Sequence, residues 1–155
     1  QHRHFDAFFA LWERLDLVRQ ELEEGLGRVL LPEMEISYVR YPVGGYYHRH
    51  VDDLCEHERR FDAFDVGKVS EESRRCVSFV CSLVEPNWTA ADGGALRTWP
   101  AGGETSVDIV PGTGTLVLFD SCHLDHEVLP TKRERLVLVG WWHTPREPEE
   151  EPLEF

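Results

Sequence analysis

Basic charge is scarce in this sequence. Lys and Arg number 16 against 29 Asp and Glu, which leaves a formal net charge of −13. Nucleic-acid binding needs a basic surface to neutralise phosphates, so the balance argues against that class, and equally against docking on an anionic membrane. Long apolar runs are missing too, with nothing near the roughly 20 residues of a membrane-spanning helix. Cysteine is sparse. Cys55, Cys76, Cys81 and Cys122 show neither CxxC spacing nor the density of a disulfide framework. That usage predicts reduced thiols and a cytoplasmic or nuclear setting. Cys76 and Cys81, five positions apart on one strand, are expected to face opposite sides. Because the sequence begins at Gln1 and not at methionine, the lack of a signal peptide carries no weight, and the endoplasmic reticulum lumen stays open. Internal repeats and βαβ alternation are absent as well.

What is present is one domain's worth of chain, 155 residues, 41% of them hydrophobic. Phe5, Phe8, Phe9, Trp12, Leu15, Val18, Leu22 and Leu26 recur at three- and four-residue steps. This spacing predicts an amphipathic helix whose stripe packs on a sheet, closed by Gly25 and Gly27 and followed by Pro32. From Met34 the period changes to two. Strands are expected from Met34 to the turn Pro42-Gly45, then Tyr46–Asp52, Cys76–Val84, Ala95–Trp99, Val107–Val110, Thr115–Asp120, His126–Leu129 and Arg135–His143. Gly- and Pro-rich breakers separate them. Many short strands after one helix predict a mainly β sandwich, barrel or jelly roll with the N-terminal helix packed on it. The polar stretch 53–74 reads as an insertion or lid, and 145–155 as an acidic, Pro- and Glu-rich tail after a domain of residues 1–144.

The chemistry gathers on two histidines and a carboxylate. His50 and Asp52 stand at i and i+2 on one expected strand, so both side chains leave one face. His126 opens a later strand. Two imidazoles and a carboxylate can hold Fe(II) with three positions open, and an incoming co-substrate then needs its own anchor. If His126–Leu129 and Arg135–His143 form a hairpin, Val128 faces Arg135, and His126 and Arg135 lie on the order of 8 Å apart. Arg grips a carboxylate as a two-pronged donor, and Val128 would wall the methylenes beside it. His48, on the expected face of His50, offers an alternative three-histidine, cupin-like site that binds metal or ligand without turnover. Ser121 and Asp120 near His126 lack a nucleophile elbow, so a hydrolase reading is set aside. His57 and His143 are expected to be solvated, and Trp12, Trp88 and Trp99 to be packing residues.

The stretches YPVGGYYHRHVD (41–52), GGALRTWP (93–100) and LVLFDSCHLDHEVLPTKRERLVLVGWW (116–142) resemble Fe(II)/2-oxoglutarate dioxygenases. More narrowly they resemble the prolyl 4-hydroxylase superfamily, nearest to the hypoxia-sensing prolyl hydroxylase domains and their microbial relatives. The resemblance implies a double-stranded β-helix, with His50, Asp52 and His126 as catalytic iron ligands. Arg135 would bind the distal carboxylate of 2-oxoglutarate, and Tyr41 would line the same pocket. Tyr47 and Trp141 would border the substrate side, and Arg75 would lie near the substrate cleft. The family tyrosine that assists the co-substrate arginine is replaced here by Ser82. Fe(II), 2-oxoglutarate and O2 are implied, with ascorbate as a candidate reductant. The implied substrate is a prolyl residue in a polypeptide. Another side chain or a small molecule is the alternative, and the oligomeric state is left open.

Overall fold

The computed structural model describes residues 3–53, 73–100 and 103–146. Helix α1 (Arg3–Leu26) is followed by strands β1 (Met34–Tyr41), β2 (Tyr47–His50), β3 (Ser73–Ser82), β4 (Leu96–Trp99), β5 (Val107–Ile109), β6 (Leu116–Asp120), β7 (Asp125–Val128) and β8 (Arg135–Pro145). A short 3-10 turn, Ala90–Asp92, precedes β4. The strands make two four-stranded antiparallel sheets, β1-β8-β3-β6 and β2-β7-β4-β5. Apart from the β4–β5 hairpin, chain neighbours alternate between the sheets, which is the jelly-roll form of a β-sandwich. Among the described residues no helix is long and apolar enough to cross a membrane.

Helix α1 stops where a left-handed residue is needed. Gly27 takes φ +60, and the Arg28 N–H reaches back to the Glu23 carbonyl at 3.3 Å, a Schellman closure. Leu11, Leu15, Val18 and Leu22 pack on Cys76, Val77, Phe79 and Trp142 of the first sheet. The predicted stripe is therefore only partly the packing face. Phe8, Phe9 and Leu26 are about half exposed, while Leu11 takes a place in the contact. A helix of 24 residues is about 36 Å long, and only its middle lies over the sheet.

The second core cluster fills the space between the sheets. Val80, Leu96, Val128 and Val137 are buried there, with Val39, Val117, Phe119 and Val139 packed around them. One irregularity decides which side chains of β3 face it. The register with β8 slips between Arg75 and Val77, so Cys76 is the extra residue of a bulge. Cys76 and Val77 both join the helix-facing cluster. By the alternation that follows, Cys81 falls on their side of the strand, not on the opposite one as expected.

The expected hairpin between His126–Leu129 and Arg135–His143 does not form. β7 lies between β2 and β4, and β8 lies in the other sheet between β1 and β3. The connection between them spends its backbone bonds elsewhere. Thr131 N–H donates to the Gly45 carbonyl, the Gly44 N–H donates to Thr131, and the Lys132 N–H donates to Asp92. The segment is stitched to two other loops and crosses from sheet to sheet. Of the expected insertion, residues 54–72 lie outside the described ones, and Ser73 and Arg74 already belong to β3. Of the expected tail, Pro145 ends β8 and residues 147–155 lie outside the described ones.

Candidate metal and co-substrate site

A second bulge builds the centre. Between β2 and β7, Tyr47 pairs with Val128 and His50 with His126, so three steps on one strand match two on the other. The extra residue brings Tyr47 and His50 together, ring centroids 4.6 Å apart, and sets His50 directly across from His126 at 4.2 Å. It also removes His48 from that face. His48 is exposed and packs its ring on Tyr46, so the three-histidine alternative has no support in the geometry.

Asp52 is not on the strand, which ends at His50. Its N–H and that of Asp53 both donate to the Ser121 carbonyl at 2.9 Å, which turns the chain back over the end of β6. The Asp52 carboxylate then lies 3.3 Å from His50 Nε2 and 3.7 Å from His126 Nε2. The three donor atoms lie within 4.8 Å of one another, and among the described residues this is the group of His, Cys, Asp or Glu able to hold a metal.

The hydrogen bonds fix which ring nitrogen is available. His50 Nδ1 lies 2.7 Å from the His48 carbonyl, and His126 Nδ1 lies 3.0 Å from the Leu124 carbonyl. A carbonyl only accepts, so each Nδ1 carries hydrogen and Nε2 is the nitrogen turned to the centre; on His50 it bears a proton when it donates to Asp52 and gives that proton up to ligate. Electrostatics favour the ligating forms unevenly. Burial alone would raise the Asp52 pKa, but hydrogen bonds from His50 and Ser78 and the nearby His126 hold it at about 2. Burial lowers His126 and keeps it neutral. Burial pulls His50 the same way, yet its bonds to Asp52 and the His48 carbonyl raise it.

The triad opens onto a cavity of about 490 Å³ lined by Tyr41, Tyr47, Arg75, Val128, Arg135 and Trp141 among others. Every candidate site residue named from the sequence is in that wall except Ser82. Ser82 is buried opposite Val137 on β8 and does not reach the cavity. The wall also includes Val80, Leu96, Val137 and Val139, which sequence reading treated as plain strand residues.

Arg135 is 1% exposed, yet its Nε and Nη1 have no hydrogen-bond partner among the described residues. Its guanidinium lies 5.2 Å from the Tyr41 ring centroid, and Tyr41 is its register partner on β1. Burial lowers the Arg135 pKa and raises that of Tyr41. Arg135 has a side-chain hydrogen bond with Tyr41, but a buried cation with two nitrogens unpaired and no counter-charge beside it is costly, so its presence in a cavity wall indicates an anionic ligand. Gly94 makes room for it: a Cβ there would lie 2.9 Å from Arg135 Cδ. The sequence showed Gly93-Gly94 only as a turn.

At the mouth, the Arg75 guanidinium stacks on Trp141 at 3.9 Å, donates to the Asp52 carbonyl and pairs with Glu35. Glu35 also binds His143 Nε2 at 2.9 Å, and His143 Nδ1 lies 3.1 Å from Ser73 Oγ. His143 is thus held in a network, against the expectation that it is solvated.

The donor set fits iron: two neutral imidazoles and one ionised carboxylate on one side, with the other side open to an anion that Arg135 can take. A jelly roll carrying this centre defines a non-haem metal oxygenase architecture. Residues 36–143 match the 2OG-Fe(II) oxygenase superfamily, and the chain belongs to that superfamily, whose members use Fe(II), 2-oxoglutarate and O2. Among solved structures it is similar to a Pseudomonas putida prolyl-4-hydroxylase, at 36% identity over 84% of this chain and 63% of that one, TM-score 0.66. It is also similar to a Trichoplax adhaerens prolyl hydroxylase solved with a hypoxia inducible factor oxygen degradation domain peptide fragment. There the identity is 25%, over 93% of this chain and 59% of that one, TM-score 0.72. A prolyl 4-hydroxylase from Phytophthora capsici matches at 25% identity, over 96% of this chain and 46% of that one, TM-score 0.68. The chain thus spans less than two thirds of the length of each of these structures. No curated protein matches it.

Proposed function

We propose that this protein hydroxylates a C–H bond of its substrate, consuming 2-oxoglutarate and O2 and releasing succinate and CO2. The observation that carries this reading is the buried Arg135, with Nε and Nη1 unpaired and no carboxylate beside it among the described residues, in the same cavity as the His50, Asp52 and His126 donors. Iron(II) held by those three residues would supply the oxidising power for the oxygen insertion. Arg135 orients the far carboxylate of the co-substrate through paired N–H donors. Val80, Val128 and Val137 line the methylenes and exclude water. Asp52 stays ionised, and the Nδ1–H bonds of both histidines keep their rings aimed at the centre.

The substrate is inferred to be a prolyl residue in a polypeptide, with 4-hydroxylation. Similarity at 25–36% identity to prolyl hydroxylases supports this. Tyr47, Arg75 and Trp141, at the open side of the cavity, would be the residues that meet it. The deciding experiment is an anaerobic titration of 2-oxoglutarate into the Fe(II)-loaded protein, followed by the visible absorption of an iron-bound 2-oxo acid. A saturable band, weakened in Arg135→Ala and lost in Asp52→Ala, is expected. Iron binding without any band would overturn the reading and leave a cupin-like binder. Proline-containing peptides would then be screened by mass spectrometry for addition of one oxygen.

A further inference from the structure

Two serines beside the metal donors are more deeply buried than the donors themselves. Ser121 is 0% exposed and Ser78 1%, and neither lines the cavity. Their hydroxyl oxygens lie 2.9 Å apart. Two buried hydroxyls carry two hydrogens, and the bond between them uses one. The other needs an acceptor, because a hydroxyl buried without one costs free energy.

The surroundings point to that acceptor. Ser121 follows the end of β6, donates its N–H to the Cys76 carbonyl of β3, and receives the N–H groups of both Asp52 and Asp53 on its carbonyl. Ser78 lies on β3 between Phe119 of β6 and Trp141 of β8. Asp52 has left β2, so no sheet ladder fixes it, and the Ser121 carbonyl is what ties down its backbone. A carboxylate on a short loop still rotates about its own side-chain bonds unless something holds its oxygens.

We infer that Ser78 and Ser121 are positioning residues for the Asp52 carboxylate, Ser121 donating to Ser78 Oγ and Ser78 donating its own hydrogen to Asp52. This relay leaves one carboxylate oxygen bonded and presents the other to His50 and His126. The inference rests on the reading of His50, Asp52 and His126 as a metal site. It adds that the site's order depends on a hydroxyl pair with no ligand contact of its own.

Co(II) is the probe, titrated by calorimetry and by its visible ligand-field spectrum into the wild-type chain, Ser78→Ala, Ser78→Thr and Trp142→Phe. Outer-shell partners of metal ligands are worth about 10–100-fold in affinity, so Ser78→Ala should weaken Co(II) at least about tenfold and alter the spectrum. Ser78→Thr keeps the hydroxyl and should restore both. Trp142→Phe, in the helix-facing core, should lower the melting temperature without moving the affinity. Unchanged Co(II) affinity and spectrum in Ser78→Ala would overturn the inference, as would an equal loss in Trp142→Phe. Should Ser78→Ala not fold, Ser121→Ala takes its place: the Ser121 carbonyl remains, the donor to Ser78 is lost, and weaker Co(II) binding is again expected. Failure of the wild-type chain to take Co(II) would instead bring down the metal reading and this inference with it.

Discussion

Replacing Arg135 with methionine should separate the stability of this protein from its ability to bind a 2-oxo acid. In the unliganded state the guanidinium is buried with Nε and Nη1 unpaired, and the Tyr41 ring is a weak compensation at 5.2 Å. Exchanging buried charge for an apolar side chain of similar volume is typically neutral to favourable by about 1–4 kcal/mol; a gain of about 2 kcal/mol, less about 1 for the lost contact with Tyr41, leaves about 1 kcal/mol. At about 2–4 °C per kcal/mol for a chain of this size, Arg135→Met should melt roughly 2–4 °C above the wild type when both are free of ligand. Binding should move the other way. Two charge-assisted hydrogen bonds at about 1.5–3 kcal/mol each amount to about 3–6 kcal/mol, or on the order of 10²–10⁴ in affinity for 2-oxoglutarate. Thermal melts of the apo proteins and anaerobic titrations of the iron-loaded ones read the two effects separately. A variant that melts well below wild type yet binds 2-oxoglutarate normally would refute the reasoning, because Arg135 would then be a structural cation and not an anion site.

Gly94→Ala should weaken 2-oxoglutarate binding without affecting metal uptake, since its Cβ would crowd Arg135 Cδ at a backbone with φ +69; parallel titrations of metal and co-substrate test this. Gly140→Ala would overlap the Phe79 ring and the Glu35 carbonyl, and should cost about 1–3 kcal/mol, visible as a lower melting temperature. His48→Ala should retain metal, whereas Asp52→Ala should lose it, as measured by Co(II) titration. The pH dependence has two parts with opposite signs. Asp52, depressed from 3.8 to about 2, contributes about 2 kcal/mol to the apo fold above pH 4, and this is lost as the pH falls toward 2. His50 is raised, so its protonated form stabilises the apo fold below its unfolded value, and that contribution fades as the pH rises through the folded one. Metal must displace this proton, so the melting-temperature gain from Mn(II) should be larger at pH 8 than at pH 6.

The donors were legible in the sequence because metal chemistry restricts residue type and spacing together. His50, Asp52 and His126 needed no knowledge of register to be singled out. The path to them was less legible. Strand alternation puts His50 and Asp52 on one face, whereas Asp52 has left the strand and is brought back by its own N–H and that of Asp53, both donated to the Ser121 carbonyl. No side chain announces that an extra residue lies between Tyr47 and His50, although that bulge sets the histidines side by side and turns His48 away. Arg135 was identified by its chemistry but through a hairpin that does not exist, because strand pairing is decided by the whole sandwich and not by the two segments that flank a turn. Strand alternation likewise puts Ser82 and Val80 on one face and cannot show that the cavity reaches Val80 but not Ser82. The helix stripe erred for a related reason: periodicity shows which face is apolar, but not how much of its length has a sheet beneath it.

That β7 and β8 belong to different sheets has a consequence for the choice of co-substrate. Both histidines sit on one layer of the sandwich, and Arg135 with Tyr41 on the other. The gap between metal and anchor is therefore a property of interlayer packing, about 10 Å in a β-sandwich, and not of any single strand. The protein works as a caliper whose jaws are its two sheets, and Val80, Val128 and Val137 are the spacers that set the opening. Selection of a five-carbon diacid over its four- or six-carbon homologues would then be stored in aliphatic residues that make no polar contact with it.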